Sequence, residues 1–106
     1  GTSEEKMINT LIYFGTDIKN ESVVSDKEFD EFLDVELSKK INGFSVSEIT
    51  GYWHGTKEKT KVVSVFHEDE DFFNHLFHKI ALTYSNKFQQ ESVLIVKQKP
   101  ESVDFI

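Results

Sequence analysis

Between Thr83 and Val96 a helical pattern hands over to an unbroken apolar run, Val93-Leu94-Ile95-Val96, across only Gln89-Gln90-Glu91-Ser92. A helix that passes so abruptly into a strand has to fold back along the sheet that strand joins. The rest of the chain can be ordered around that requirement. Upstream of it, Phe73, Leu76, Phe77, Ile80, Tyr84 and Phe88 fall on one face of a helix expected over residues 70–88. Glu68-Asp69-Glu70-Asp71 stand at its start, where carboxylates complement the partial positive charge of a helix N-terminus; the glycine and alternating spacing of a calcium loop are missing.

Four segments have strand character. Residues 7–14, Met-Ile-Asn-Thr-Leu-Ile-Tyr-Phe, are β-branched and aromatic, with Ile8, Ile12 and Phe14 on one parity and Leu11 and Tyr13 on the other. Residues 44–54 and 60–67 read as a hairpin turning through the polar residues 55–59, with Gly51 as a bulge. The fourth strand is expected over 91–98 and ends at Pro100. Between the first two strands, a polar connection over 15–24 leads into Ser25-Asp26-Lys27-Glu28, the pattern of a capping box, with Val24 and Phe29 placed as a hydrophobic staple. Phe29, Leu33, Leu37 and Ile41, with Phe32 alongside, extend this helix over 26–41, and Asn42-Gly43 stops it with Gly43 left-handed.

Strand, helix, strand, strand, helix, strand is the split βαβ order. The expected fold is α+β, a ferredoxin-like βαββαβ sandwich: a four-stranded antiparallel sheet with two helices on one face, in a single domain over 7–106, after a disordered or tag-derived stretch over 1–6. Strands one and three are expected to be central and parallel. The apolar residues on both parities of strands one and four then leave one sheet face uncovered, which points to a homodimer through that face or to a cleft for an apolar ligand.

Composition removes several functions. The formal net charge is −7 and all twelve basic residues are Lys, so no guanidinium is present to read guanine or clamp phosphate, and nucleic acid is excluded as an expected partner. No apolar run approaches the roughly 20 residues of a spanning helix, so no membrane insertion is expected and the chain reads as soluble. Cysteine is absent, which removes disulfides and thiolate chemistry. His54 and His67 are too far apart along the expected hairpin to pair on a metal, and Asp71, His75 and His78 share the helix side away from the apolar stripe; no metal and no cofactor are expected.

The expected sheet brings Tyr13, His67, Gln90 and Glu91 to one edge beneath the loop over 15–24. A histidine beside a carboxylate and a phenol is a set for general acid–base work, so the candidate catalytic residues are His67, Glu91 and Tyr13. Equally, His67 is a strand-end residue, Glu91 an acceptor for backbone or Lys, and Tyr13 core. Trp53, with Tyr52, completes the candidate ligand-binding set of Tyr13, Trp53, His67, Gln90 and Glu91; capping of the core or a dimer seam is the competing reading of the Tyr52-Trp53 pair. No Gly-rich phosphate loop, nucleophile elbow or metalloprotease motif is present. A small binding or interaction domain is therefore preferred over a cofactor-independent enzyme acting on a small organic molecule.

Tyr13-Phe14-Gly15, Phe32-Leu33, Gly43-Phe44-Ser45-Val46, Gly51-Tyr52-Trp53 and above all Tyr84-x-x-x-Phe88-Gln89-Gln90-Glu91-Ser92-Val93-Leu94 resemble the bacterial family known as domain of unknown function 3574, over about residues 10–105. The resemblance brings no substrate, cofactor or catalytic residue. It implies an extracytoplasmic home, exported with a signal peptide removed, with the cytoplasm as the alternative. Where family members commonly carry Arg after the hairpin, this chain has Thr60-Lys61.

Overall fold

In a computed structural model, residues 7–18 and 22–106 are described. The expectation for residues 1–6 lies outside them. The elements are β1 (Met7–Gly15), α1 (Asp26–Leu33) continued by one π-helical turn (Asp34–Ser38), β2 (Ser45–Trp53), β3 (Thr56–Glu68), α2 (Asp71–Lys87) and β4 (Leu94–Gln98). The sheet runs β2-β3-β1-β4 and every neighbouring pair is antiparallel.

Strands β1 and β3 are central, as expected, but not parallel. The crossover through α1 makes β1 parallel to β2, which lies two places away, and the hairpin then reverses direction into β3. The register Tyr13↔Val62 and Ile8↔His67 follows. The end of β1 therefore meets the beginning of β3, the reverse of the arrangement that would gather His67 with Tyr13.

Even-numbered residues of β1 face the helices. Ile12, Phe14, Val63 and Val65 form one core with Phe29, Phe32, Leu33 and Leu37 below α1 and Leu76, Phe77, Ile80, Tyr84 and Phe88 of α2. Its centre is aromatic: the Tyr84 ring lies 4.7 Å from Phe14, 5.2 Å from Phe32 and 4.8 Å from Phe88, centroid to centroid. Such tilted and edge-on pairs each add about 0.5–1.5 kcal/mol to what burial supplies.

The capping box at Ser25 is formed in both directions, with Glu28 N–H on Ser25 Oγ at 3.1 Å and Ser25 N–H on Glu28 Oε1 at 3.1 Å. The helix it starts is shorter than the apolar repeat suggests. The π-helical turn keeps Leu37 in the core, and the chain leaves helical geometry after Ser38, so Gly43 is not a left-handed stop. The hairpin also differs. Its turn is His54-Gly55, with φ of 48° and 78°, and Trp53 pairs with Thr56. Two residues with positive φ make the tight turn that suits the right-handed twist of the strands, so residues 56–59 are strand and Gly51 sits in a regular pair with Glu58 rather than a bulge.

One result of the early turn is an overhang. β1 reaches only to Gly15, opposite Thr60, while β2 and β3 continue past it as a two-stranded ribbon from Gly51 to Glu58. On the helix side of the sheet, Lys61 lies 2.9 Å from both Asp26 and Glu48 and 5.9 Å above the Phe29 ring. Those two acceptors raise its pKa, so the lysine takes a structural ion-pair role on the helix side of β3.

Candidate functional site

The overhanging ribbon and the α2–β4 turn stand on either side of the end of β1. Between them lies a cleft of about 430 Å³, lined by Tyr13 and Gly15 below, Ile49, Gly51, Tyr52, Trp53, Glu58 and Thr60 on the ribbon side, and Gln89, Gln90, Glu91, Ser92 and Leu94 on the other. It opens on the helix-free face. Four of the five candidate binding residues thus meet there: Tyr13, Trp53, Gln90 and Glu91.

The Tyr84–Ser92 segment builds one wall. Buried Tyr84 donates its hydroxyl to the Gly15 carbonyl at 2.6 Å, tying α2 to the exit of β1. Burial, reinforced by the charges of Glu58 and Glu28, pushes this phenol far up, so it remains a donor. After Phe88 the helix closes with Gln90 N–H on the Ser85 carbonyl at 3.0 Å, and Gln89 holds φ at 54°. A non-glycine residue in the left-handed region costs on the order of 1 kcal/mol, and it directs the Gln90 side chain back across the cleft floor. The Gln90 amide nitrogen reaches the Asp17 carbonyl at 2.7 Å and that of Phe88 at 3.2 Å.

Opposite it, Glu58 Oε2 accepts from Asp17 N–H at 2.9 Å. A Cβ placed on Gly15 would lie 2.8 and 2.9 Å from the two Glu58 carboxylate oxygens and 3.0 Å from Gln90 Oε1. Only glycine lets both side chains close over this point. Glu58 Oε1 and Gln90 Oε1 therefore converge, and neither has a donor among the described residues. Thr60 adds a third polar group. It is only 8% exposed, it lines the cleft, and its hydroxyl likewise has no partner among the described residues.

Aromatic surface completes the lining. Trp53 and Tyr52 are 72% and 71% exposed, so they do not cap the core. The Trp53 ring is braced edge-on by His54 at 4.8 Å. Gly15, Asp17, Glu58 and Thr60 are not among the candidate site residues read from sequence; the His54-Gly55 pair, read as a two-residue turn, brings Glu58 into the site.

His67 lies elsewhere. Five residues beyond Val62 along β3, it is about 17 Å from the Tyr13 level by strand rise, and it faces the helices whereas Tyr13 faces away. Its grouping with Glu91 and Tyr13 is corrected on both counts, and acid–base work by these three together is removed. The buried ring packs 4.7 Å from Phe73 and 5.1 Å from Phe77. Nδ1–H donates to the Glu68 carbonyl at 2.7 Å, which leaves Nε2 to accept from the Thr10 hydroxyl at 2.6 Å. It borders a separate hollow of about 380 Å³ between β3 and the loop over 40–43.

Burial lowers the His67 pKa, with the Lys97 charge adding to it and the Glu68 carbonyl and Asp69 opposing. The unfolded chain accordingly takes up this proton first, near pH 6.5. Stability from neutral His67 is full above that pH and is lost as pH falls through the depressed folded-state value. Thermal melts between pH 7 and 5 should fall more steeply for the wild type than for a Thr10→Val, His67→Leu double variant; parallel profiles would count against it.

Among the described residues no helix is long and apolar enough to cross a membrane, and no group of three or more His, Asp or Glu side chains is placed to hold a metal ion.

Comparison with known proteins gives a family and a fold. The family model described as Protein of unknown function (DUF3574) matches residues 9–105. No curated protein sequence matches the chain. Among solved structures, a phage SAM lyase in complex with S-methyl-5′-thioadenosine superposes with a TM-score of 0.64 at 12% identity, covering 89% of this chain and 81% of its own. The de novo designed protein Foldit4 gives 0.57 at 17% identity, covering 90% and 99%. At3g17210 from Arabidopsis thaliana gives 0.50 at 17% identity, covering 92% and 99%. At such identities the likeness is one of fold alone, and it is compatible with the ferredoxin-like arrangement.

Proposed function

Because the chain belongs to the DUF3574 family, a family of unknown function, its activity has to be argued from its own residues, and we propose that it is a small-molecule-binding domain whose site is the cleft at the end of β1. The observation that carries this reading is the convergence, over Gly15, of Glu58 and Gln90 with acceptor oxygens left open beside exposed Tyr52 and Trp53. A polar cluster with unfilled hydrogen-bonding capacity next to aromatic surface is what a ligand site needs, and a packed core lacks it. Binding without turnover is favoured because His67, the residue suited to proton transfer near neutral pH, belongs to the opposite end of β3.

Trp53 is the only tryptophan, so its emission reports on the cleft directly. The phage neighbour holds S-methyl-5′-thioadenosine, which makes that compound and SAM the first probes, followed by a library of small aromatic and heteroaromatic molecules. The expected result is a saturable change in Trp53 emission with at least one member of the set, abolished by Tyr13→Ala. Indifference of Trp53 to the whole set would sink the reading.

A second reading concerns the open sheet face. Phe66 is 50% and Leu94 58% exposed there, next to half-buried Leu11 and Val96, an apolar surface of the kind that self-association covers. The proposed assembly is a homodimer through this face, with Leu94 and Ile49 shared between the interface and the cleft. Light scattering at micromolar concentration should give the dimer mass and Leu94→Glu the monomer mass; a wild-type monomer would end this reading.

A further inference from the structure

We infer that the ligand of this cleft is an organic cation, an N–H-bearing positive group attached to a flat ring. The inference rests on the cleft being the binding site and goes on to specify what enters it. Among the described residues the lining contains three carboxylates, Asp17, Glu58 and Glu91, and neither Lys nor His. The nearest lysine of the ribbon base, Lys59, is turned to the helix side, 3.7 Å from Glu48. Among the described residues no positive charge lines the cleft to neutralise the acids.

Acidity alone would describe a solvated rim, and two further observations give it direction. Thr60, more than nine-tenths buried, presents a hydroxyl to the cleft with no partner among the described residues. Glu58 Oε1 and Gln90 Oε1 close on one point from opposite walls, and the two donors beside them are engaged elsewhere: Asp17 N–H on Glu58 Oε2, and the Gln90 amide nitrogen on the Asp17 and Phe88 carbonyls. The floor thus holds two open acceptor oxygens, one of them on a carboxylate, beside a hydroxyl that can donate or accept. An anion would meet the carboxylates there, while an ammonium or amidine offers several N–H groups to acceptors of which one is charged.

Ring chemistry follows from the aromatic lining. Trp53, Tyr52 and Tyr13 offer faces on which a flat group stacks and beside which a cation is attracted to the ring quadrupole. Ile49 and Leu94 supply apolar contact between them.

Three probes share one phenol ring and differ in charge: tyramine (cation), tyrosol (neutral) and 4-hydroxyphenylacetate (anion). Titrated into the whole protein and followed through the Trp53 indole resonance, tyramine should bind about tenfold more tightly than tyrosol, with 4-hydroxyphenylacetate weakest. Glu58→Gln retains an acceptor for the Asp17 N–H and should erase most of the tyramine preference, whereas added salt should weaken tyramine alone. Equal affinities for the three overturn the cation inference and leave the cleft reading standing. Absence of any Trp53 response at millimolar concentrations, with the adenosine probes also silent, overturns both.

Discussion

Tyr84→Ala is expected to destabilise the domain by about 3–5 kcal/mol, the range for truncating a fully buried aromatic residue, and so to remove much of the roughly 5–15 kcal/mol available to a domain of this size. Two losses combine. Removing the ring empties the space among Phe14, Phe29, Phe32 and Phe88. Removing the hydroxyl leaves the Gly15 carbonyl without the bond that ties it to α2. Tyr84→Phe separates the two: the rings remain, and about 1–2 kcal/mol is the expected cost of the orphaned carbonyl. Urea denaturation of both variants checks the order; a Phe variant as damaged as Ala would show that the hydroxyl, not the packing, holds this helix in place.

Gly15→Ala is expected to act mainly on binding. The new Cβ falls under 3 Å from the Glu58 carboxylate oxygens and 3.0 Å from Gln90 Oε1, and all three are the far ends of flexible side chains. They can swing away at modest cost to the fold, about 1 kcal/mol or less, but the convergence of the Glu58 and Gln90 oxygens is broken and the Asp17–Glu58 bond with it. Affinity for a ligand identified by Trp53 titration should drop at least about tenfold while the melting temperature moves by only a few degrees. Unchanged affinity would show that the floor over Gly15 is not where ligand sits.

The comparison between sequence and structure is clearest in these residues. The capping box at Ser25 and the apolar face of α2 are local patterns with local causes, and they are found where expected. The relative direction of β1 and β3 is not local: it depends on the crossover through α1 and on the reversal at the hairpin, and taking the two strands as parallel moved His67 to the wrong end of the sheet. The hairpin turns earlier than its polarity suggests: Thr56-Lys57-Glu58-Lys59 looks polar enough for a loop, whereas an edge ribbon with solvent on both sides tolerates polar residues throughout. That displacement hid Glu58. Tyr13, Trp53, Gln90 and Glu91 were legible since each stands at a strand end or in the Tyr84–Ser92 segment, whose composition fits neither a plain helix nor a plain strand.

The overhang of β2 and β3 beyond Gly15 gives the cleft a jaw rather than a fixed wall. Its root is bolted where Thr16 Oγ1 meets the Lys59 carbonyl at 2.6 Å and Asp17 N–H meets Glu58, but from Lys57 to Trp53 the ribbon has no third strand alongside among the described residues. Two-stranded ribbons bend easily. Flexing at that root would carry the indole toward or away from Leu94 and Glu91 without disturbing the core, and under the proposed binding role it would fit the mouth to ligands of different thickness.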